Sequence, residues 1–444
     1  MPHKLIELID LIPSDRSFIV SHKKNVNYGQ LKELINRFSS LYSFLENARC
    51  AIRADVNSSL ALYLPCVDSL ASAIFLQPAN LSQEAIDNFY LAASIEYLVD
   101  ISDDNIVVTS IEHKETIHKE HEGWLLATSG TTGSPKLASY KLASLLSTCK
   151  ADLKVGKEYV WGVCYDINRF AGLQVYLQGI SSGSCLVIPD GIDSPNSYIE
   201  LFSSNSVNAM SGTPSFWRKL LMSPACSLLP LKRITLGGEI SDQTILNALK
   251  RQYQHATIVH IYASTEAGVG FSVKDGKAGF PIAYLSNDNH LSLSLKVKGD
   301  NLWIKTARGS KTLLVGELEV DELGYIDTGD VVKIKDNRVI FCGRKNGSIN
   351  VGGSKVIPEE IEAVLNLFEH ISLSRVFGKK SAVLGTLVCA EIVVNETAKS
   401  LDNKELKSQI LRHCREHLEA YKVPALIKNV DVINTNESGK IARN

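Results

Sequence analysis

No two of the nine cysteines in this 444-residue chain are spaced as C-x-x-C, and their number is odd. Spread from Cys50 to Cys414, they exclude a disulfide frame or a zinc ribbon and point to reduced thiols in a cytoplasmic protein. Charge of one sign is also lacking: the formal net charge is -1, so nothing draws the chain broadly to nucleic acid or a membrane surface, and a small-molecule partner is expected. No uninterrupted apolar run reaches the roughly 18 residues a membrane span needs. The first ten residues carry Glu7 and Asp10 within and beside their apolar stretch and no small-residue cleavage pattern, so they do not read as a signal peptide. With 45% hydrophobic and 21% charged residues, bulk disorder is excluded. A chain of this length exceeds what one core serves, so two or more subdomains are expected.

What is present centres on Thr128, Ser129, Gly130, Thr131, Thr132, Gly133, Ser134, Pro135 and Lys136. Two glycines let the backbone turn tightly, the hydroxyls supply donors and Lys136 adds a cation, which suits a loop that closes over a polyphosphate. It is not a Walker loop, because Ser134 and Pro135 separate the second glycine from the lysine. The plain alternative is a polar surface turn, for which these residue types are also suited.

Tyr28 to Phe38 reads as an amphipathic helix with Leu31, Leu34, Ile35 and Phe38 on its core face. His113, His118 and His121 lie among acids at spacings that match no metal-ligand pattern, and alternating charge reads as a solvated face. After the loop helix-like and strand-like segments alternate: helix-like Lys141 to Leu153, strand-like Tyr159 to Tyr165, helix-like Gly172 to Ile180 and strand-like Cys185 to Ile188. Strand candidates Arg233 to Leu236 and Thr257 to Tyr262 follow. This alternation predicts a layered α/β domain with ligands at the carboxyl ends of its strands. Short strands from Asn301 to Phe341, including Thr312 to Val315, predict a small β-rich subdomain. Beyond Gly343 an α+β unit is expected. Pro358 stands at a helix N1 position, Glu359 and Glu360 complement the dipole, and Ile361, Val364, Leu365 and Phe368 form one apolar stripe. The expected fold class is therefore α/β: a large domain over 1–343, a hinge at 344–347 and a small mobile α+β domain over 348–444.

The string from Thr128 to Lys136 resembles the signature loop of the adenylate-forming superfamily, which contains acyl-CoA synthetases, adenylation domains and luciferases. Tyr262-Ala-Ser-Thr-Glu266 resembles its Y-x-[ST]-T-E motif. The resemblance implies that Tyr262 packs on adenine, Thr265 holds the α-phosphate and Glu266 ligates magnesium, a hard cation suited to carboxylate oxygen. Gly237, Gly238 and Glu239 resemble the glycine-rich turn bordering the adenine and acyl pockets. Asp330 closes a T-G-D motif whose aspartate accepts from both ribose hydroxyls, and Arg344 falls on the ribose-contacting arginine. Ser438-Gly-Lys440-Ile resembles the closing motif, whose lysine neutralises the reacting oxygens during adenylation. Lys440, Glu266 and Thr131 are thus the implied catalytic set, with ATP, Mg2+ and CoA, or a carrier-protein phosphopantetheine, as reaction partners. Gly352 and Gly353 resemble the loop that lines the pantetheine channel once the small domain has turned. Asn346 and Gly347 stand where relatives carry Asp or Lys at the pivot, so that pivot chemistry does not transfer.

The signature loop arrives after only 127 residues, so the first subdomain reads as abbreviated, and spacing and compactness look closest to o-succinylbenzoate-CoA ligase-like members. In the implied acyl pocket, Arg169, Phe170 and Gly172 align with a segment that often reads F-H-x-x-G. Two readings of Arg169 stand: it binds an anionic group on the acid, or it pairs with Asp166 at the pocket wall. For the whole chain the expected function is ATP-dependent activation of a carboxylic acid as acyl-AMP, then thioester formation with CoA. Loading of a carrier-protein thiol and a non-catalytic nucleotide-binding role are the alternatives.

Overall fold

The computed structural model describes residues 2–112, 123–128, 135–192, 194–264, 268–286, 293–306, 312–351, 354–381, 385–398, 401–435 and 440–442. Its large N-terminal domain is built on two mostly parallel sheets. In the first, strands Thr257–Ser264, Arg233–Leu236, Ala209–Gly212, Val160–Val163, Cys185–Val187 and Ser17–Val20 run parallel, with antiparallel Gly268–Val273 and Asn25–Asn27 at its edges. In the second, parallel Trp124–Thr128, Ala73–Leu76, Arg49–Ala54 and Tyr97–Ser102 are flanked by antiparallel strands, Lys136–Tyr140 then Thr312–Val315 on one side and Asn105–Ser110 on the other.

Strands covered on both faces need apolar side chains in both directions, and Ala73–Leu76 and Trp124–Thr128 are buried along their whole length. The two sheets share one core. Phe18, Ile19, Trp161 and Leu186 from the first and Ile52, Ile74 and Leu126 from the second belong to a single cluster, completed by helices Tyr28–Leu41, Asn57–Leu70 and Phe170–Ser182. The helix at Tyr28–Leu41 buries Leu31, Ile35 and Phe38 as its periodicity predicts, and its start carries a capping box in which Asn27 and Gln30 satisfy each other's backbone amides.

A five-stranded antiparallel sheet follows, ordered Phe280–Pro281, Arg338–Arg344, Ile326–Lys335, Asn301–Thr306 and Leu293–Lys298. The smaller C-terminal domain packs helices Pro358–Leu365 and Asn403–His417 on the three-stranded sheet of Ile371–Ser381, Gly385–Val394 and Leu426–Asn429, beside a short hairpin, Ile349–Val351 with Ser354–Val356. Pro358 opens its helix, and Ile361 and Leu365 are buried.

Two sequence expectations change. Lys141 to Leu153 is not one helix: Leu142–Leu146 and Leu153–Gly156 are separate short helices, the second started by Asp152, whose carboxylate accepts from the amides of Lys154 and Val155. Asp152 offers the backbone a cap in place of helical continuation. Thr312–Val315, expected in the β-rich subdomain, instead pairs with Lys136–Tyr140 and extends the second sheet. Its Leu314 is buried in the apolar cluster on that sheet's outer face, and burial there outweighs nearness in sequence. His113, His118 and His121 lie outside the described residues.

Candidate active site

The carboxyl ends of four adjacent parallel strands converge on one crevice. Val160–Val163 leads to Tyr165 and Asp166, Ala209–Gly212 to the helix Pro214–Leu221, Arg233–Leu236 to Gly237, Gly238 and Glu239, and Thr257–Ser264 toward Thr265 and Glu266. Thr265 and Glu266 lie outside the described residues, as do Ser129, Gly130, Thr131, Thr132, Gly133, Gly352 and Gly353. What flanks the signature loop is described. Thr128 and Lys136 are register partners on antiparallel strands, so the loop connects two strands of one hairpin rather than a strand and a helix. Thr128 is buried, and Lys136 Nζ donates to the Glu317 carbonyl at 3.0 Å.

Tyr262 stands at the seam between the first sheet and the five-stranded sheet. Its ring stacks on Phe271, its register partner on the neighbouring strand, and on Phe341, both with centroids 5.2 Å away and planes within 17° and 11°. Its hydroxyl donates to Asp330 Oδ2 at 2.6 Å. Burial, reinforced by the adjacent Asp330 carboxylate, holds the phenol pKa well above its ordinary value, so the hydroxyl is a fixed donor. Asp330 is itself only 8% exposed, and its other oxygen accepts from Arg344 Nε at 2.9 Å. The two face each other because Asp330 and Arg344 are register partners on adjacent antiparallel strands. A carboxylate offers about four lone-pair sites, so two donors leave Asp330 able to accept from a diol as well.

Tyr165 donates to the Gly237 carbonyl at 3.2 Å, and burial raises its pKa. Beside it, Asp166 accepts from Asn57 Nδ2 at 3.2 Å, and Arg169 donates to Asn80 Oδ1 at 2.6 Å. Phe170 packs against Tyr140 with centroids 5.8 Å apart. Gly172 is a packing requirement: a Cβ there would stand 2.0 Å from the Asp166 carbonyl oxygen, so backbone, not an acyl group, fills the space beside it.

The C-terminal domain reaches the same crevice. Lys440 runs past the Gly238 turn, its Cε 3.4 Å from where a Cβ on Gly238 would sit, and Gly238 has φ +82°. The next amide, Ile441 N, donates to Glu239 Oε1 at 2.9 Å, while Glu239 Oε2 accepts from Ser215 N at 3.0 Å. Lys219 Nζ donates to Thr435 Oγ1 at 3.2 Å. Thus the structure brings together Gly237, Gly238, Glu239 and Lys440 as one group and Tyr262, Asp330 and Arg344 as another. Sequence reasoning passed over Lys219, Phe271 and Phe341. The aromatic partners could have been sought as apolar residues on strands due to pair beside Tyr262, whereas Lys219 carries no local signal.

The same architecture recurs in solved structures. An anthranilate CoA ligase in complex with anthranoyl-AMP superposes with a TM-score of 0.80 at 15% identity, over 99% of this chain and 96% of that one. The o-succinylbenzoate CoA synthetase from Bacillus subtilis, in complex with its acyl-adenylate intermediate, gives 0.71 at 18% identity over 100% and 97%. The fold is that of the adenylate-forming enzymes. The sequence narrows this further: residues 66–289 match the family described as AMP-binding enzyme, residues 360–440 match its C-terminal domain, and the chain belongs to that family. Among curated relatives, a 2-succinylbenzoate–CoA ligase of Listeria innocua is 26% identical over 338 residues, covering 72% of this chain and 68% of that protein. A D-alanine–D-alanyl carrier protein ligase of Bacillus cereus is 23% identical over 99% of this chain and 98% of its own length.

Proposed function

We propose that this chain is an AMP-forming acid–thiol ligase, which activates a small carboxylic acid with ATP as acyl-AMP and passes the acyl group to CoA. The observation that carries this reading is the approach of Lys440, from the small domain, to the Gly238 turn at the carboxyl ends of the parallel strands. A carboxylate is a poor electrophile at neutral pH. Attack of its oxygen on the α-phosphorus of ATP expels pyrophosphate, and AMP then serves as the leaving group when a thiol attacks the acyl carbon. Negative charge gathers on oxygens around the phosphorus, and a lysine held in a crevice stabilises it without reorganisation.

In this reading Asp330 and Arg344 hold the ribose, the Tyr262 ring borders the adenine, and Lys440 faces the reacting oxygens. Thr128 to Lys136, with Thr131 at its centre, close on the phosphates, Thr265 meets the α-phosphate, and Gly352 and Gly353 line the thiol channel. Glu266 supplies a hard oxygen ligand for magnesium, which would offset phosphate charge. The large domain is assigned to 1–343, the pivot to 344–347 and the small domain to 348–444. Cytoplasmic residence is supported by nine free cysteines, and no described helix is long and apolar enough to cross a membrane.

A second reading, delivery to a carrier-protein phosphopantetheine, is favoured by the end-to-end likeness to the D-alanyl carrier protein ligase. One experiment tests both. Acid-dependent pyrophosphate exchange over a panel of acids identifies the substrate, and free CoA is then compared with a phosphopantetheinylated carrier as acceptor. Absence of exchange with every acid in the presence of ATP and magnesium would overturn the ligase reading.

A further inference from the structure

Glu239 divides its carboxylate between the two domains. Oε2 accepts from Ser215 N in the large domain at 3.0 Å, and Oε1 accepts from Ile441 N in the small domain at 2.9 Å. We propose that Glu239 is a positioning residue that latches the tail carrying Lys440 onto the large domain during adenylation, rather than a ligand of the nucleotide. The proposal rests on the ligase reading above for the reaction it serves.

The large-domain half of the latch is prebuilt. Helix Pro214–Leu221 begins with a proline, which has no N–H, and Thr213 Oγ1 takes the amide of Phe216 at 3.0 Å. That leaves the Ser215 amide for Glu239, whose negative charge is favourable at a helix N-terminus. The turn before Glu239 is tied down on both sides, since Gly237 N donates to the Gly212 carbonyl and the Gly237 carbonyl accepts from Tyr165. When the small domain moves away, the Ser215 bond remains and Oε1 stays aimed at the place the tail vacated.

The tail half is equally fixed. Thr435 and Ile441 form an antiparallel bridge, and Ala442 N donates to the Asn434 carbonyl at 3.0 Å. Ile441 packs against the cluster of Leu373, Val393 and Ile433. Arg375, itself paired to Glu391 at 2.9 Å, donates to the Ala442 carbonyl at 2.8 Å. The amide that Glu239 holds is therefore one residue from Lys440 and is bridged to Thr435, so gripping it sets where the lysine enters. Lys219, from the helix Glu239 caps, donates to Thr435, the bridge partner of Ile441; burial lowers its pKa and the charge of Glu239 opposes that fall. The latch thus grips both partners of the Thr435–Ile441 bridge from one helix–turn unit.

Full-length Glu239→Ala and Glu239→Gln provide the test, with pyrophosphate exchange measured against thioester formation from supplied acyl-AMP. A hydrogen bond to a charged group is expected to be worth about ten-fold or more in exchange kcat. The latch requires that loss in Glu239→Ala with ATP KM within about two-fold and unimpaired use of supplied acyl-AMP, and in a Lys440→Ala background it requires that Glu239→Ala leave ATP affinity by isothermal titration unchanged. Glu239→Gln, which keeps one carbonyl oxygen, should recover part of the rate. A loss of ATP affinity on Glu239→Ala, measured by isothermal titration, that persists in the Lys440→Ala background would overturn the proposal in favour of a nucleotide ligand. Amide hydrogen exchange over residues 435–442 supplies a readout independent of turnover: protection should fall in Glu239→Ala and, less, in Lys219→Ala. Unchanged protection defeats the latch even if the enzyme is active, whereas an inactive wild-type chain with Glu239-dependent protection defeats only the ligase reading.

Discussion

Asp330 and Arg344 face each other across adjacent antiparallel strands, Arg344 Nε donating to Asp330 Oδ1 at 2.9 Å while the Tyr262 hydroxyl donates to Oδ2 at 2.6 Å. The carboxylate is thereby oriented before any ligand arrives, by one donor from the first sheet and one from its own sheet. Preorganisation of this kind removes the cost of ordering the site at binding. Asp330→Asn replaces one oxygen with an amide donor that opposes Arg344 or Tyr262. Isothermal titration with ATP should show affinity weakened about ten-fold or more, since charge-assisted bonds are worth about 1.5 to 3 kcal/mol. Tyr262→Phe keeps the stack on Phe271 and Phe341 and should cost less than Asp330→Asn. Equal ATP affinity in all three proteins would remove Asp330 from the nucleotide site.

Glu266 offers a different kind of test, because its role depends on charge. Glu266→Gln keeps the shape and one carbonyl oxygen but removes the negative charge proposed to ligate magnesium. Exchange should fall and the magnesium concentration giving half-maximal rate should rise, with the melting temperature unchanged. The same magnesium titration curve in both proteins, at saturating ATP, would deny Glu266 that role.

The parts legible in the sequence were those whose information is local. The amphipathic face of Tyr28–Leu41, the proline-started helix Pro358–Leu365 and the strand segments ending at Leu236 and Ser264 all follow from periodicity and caps. The convergence of Tyr262, Asp330 and Arg344 was legible only through motif resemblance, and its physical cause, a strand register and an aromatic seam, was not. Thr312–Val315 shows why: nothing within four residues says that it pairs with Lys136–Tyr140, some 175 residues earlier, since that choice is made by the apolar face that receives Leu314. Motif resemblance places Glu239 on the turn bordering the adenine and acyl pockets, and says nothing of its partner in the C-terminal domain. Its bond to Ile441 spans 202 residues and two domains, and no spacing rule reaches that far.

Asp68 sets a pH dependence of stability remote from the crevice. It is 2% exposed in the helix Asn57–Leu70, and burial raises its pKa from 3.8 to about 6 although the Leu5 amide, at 2.6 Å from Oδ2, and the charge of Lys4 oppose the rise. Between those two values the folded chain binds more protons than the unfolded one, so stability falls as pH rises through that window and stays lower above it. Asp68→Asn can still accept from Leu5 and escapes the penalty. It should be more stable than wild type at pH 7.5, by roughly 2 kcal/mol, with the difference shrinking toward pH 4. Urea unfolding at the two pH values checks this, and a constant difference would mean that Asp68 does not titrate there.

Arg169 separates the two readings of the acyl pocket. It donates to Asn80 Oδ1 at 2.6 Å and is the N-cap residue of the helix Phe170–Ser182, just after the Asp166–Ile167 backbone that packs on Gly172. If its guanidinium also meets a second anionic group on the acid, Arg169→Leu should reduce kcat/KM for dicarboxylic acids about ten-fold more than for plain aryl or fatty acids. Equal losses across the panel would assign Arg169 to the wall of the pocket.

The last prediction concerns the order of the two half-reactions, because in the proposed mechanism Lys440 serves carboxylate attack on the α-phosphorus and the Gly352–Gly353 loop serves thiol attack on the acyl carbon, and both lie on the side of 344–347 assigned to the small domain. In this structure Lys440 lies beside Gly238, with Ile441 held by Glu239 and Thr435 by Lys219. In the proposed mechanism this is the arrangement for carboxylate attack on ATP, and the thiol step would call for the small domain to turn about 344–347. Lys440→Ala should therefore abolish pyrophosphate exchange yet leave thioester formation from presynthesised acyl-AMP largely intact. Gly353→Trp should do the reverse, sparing exchange and blocking the thiol. Gly347→Pro fixes φ near -65° at the pivot and should leave at most one half-reaction fast. Rapid-quench measurement of each half-reaction separates these cases. An equal slowing of both by Lys440→Ala would mean that the lysine serves both arrangements or holds the fold, and alternation of the small domain would no longer describe how this chain works.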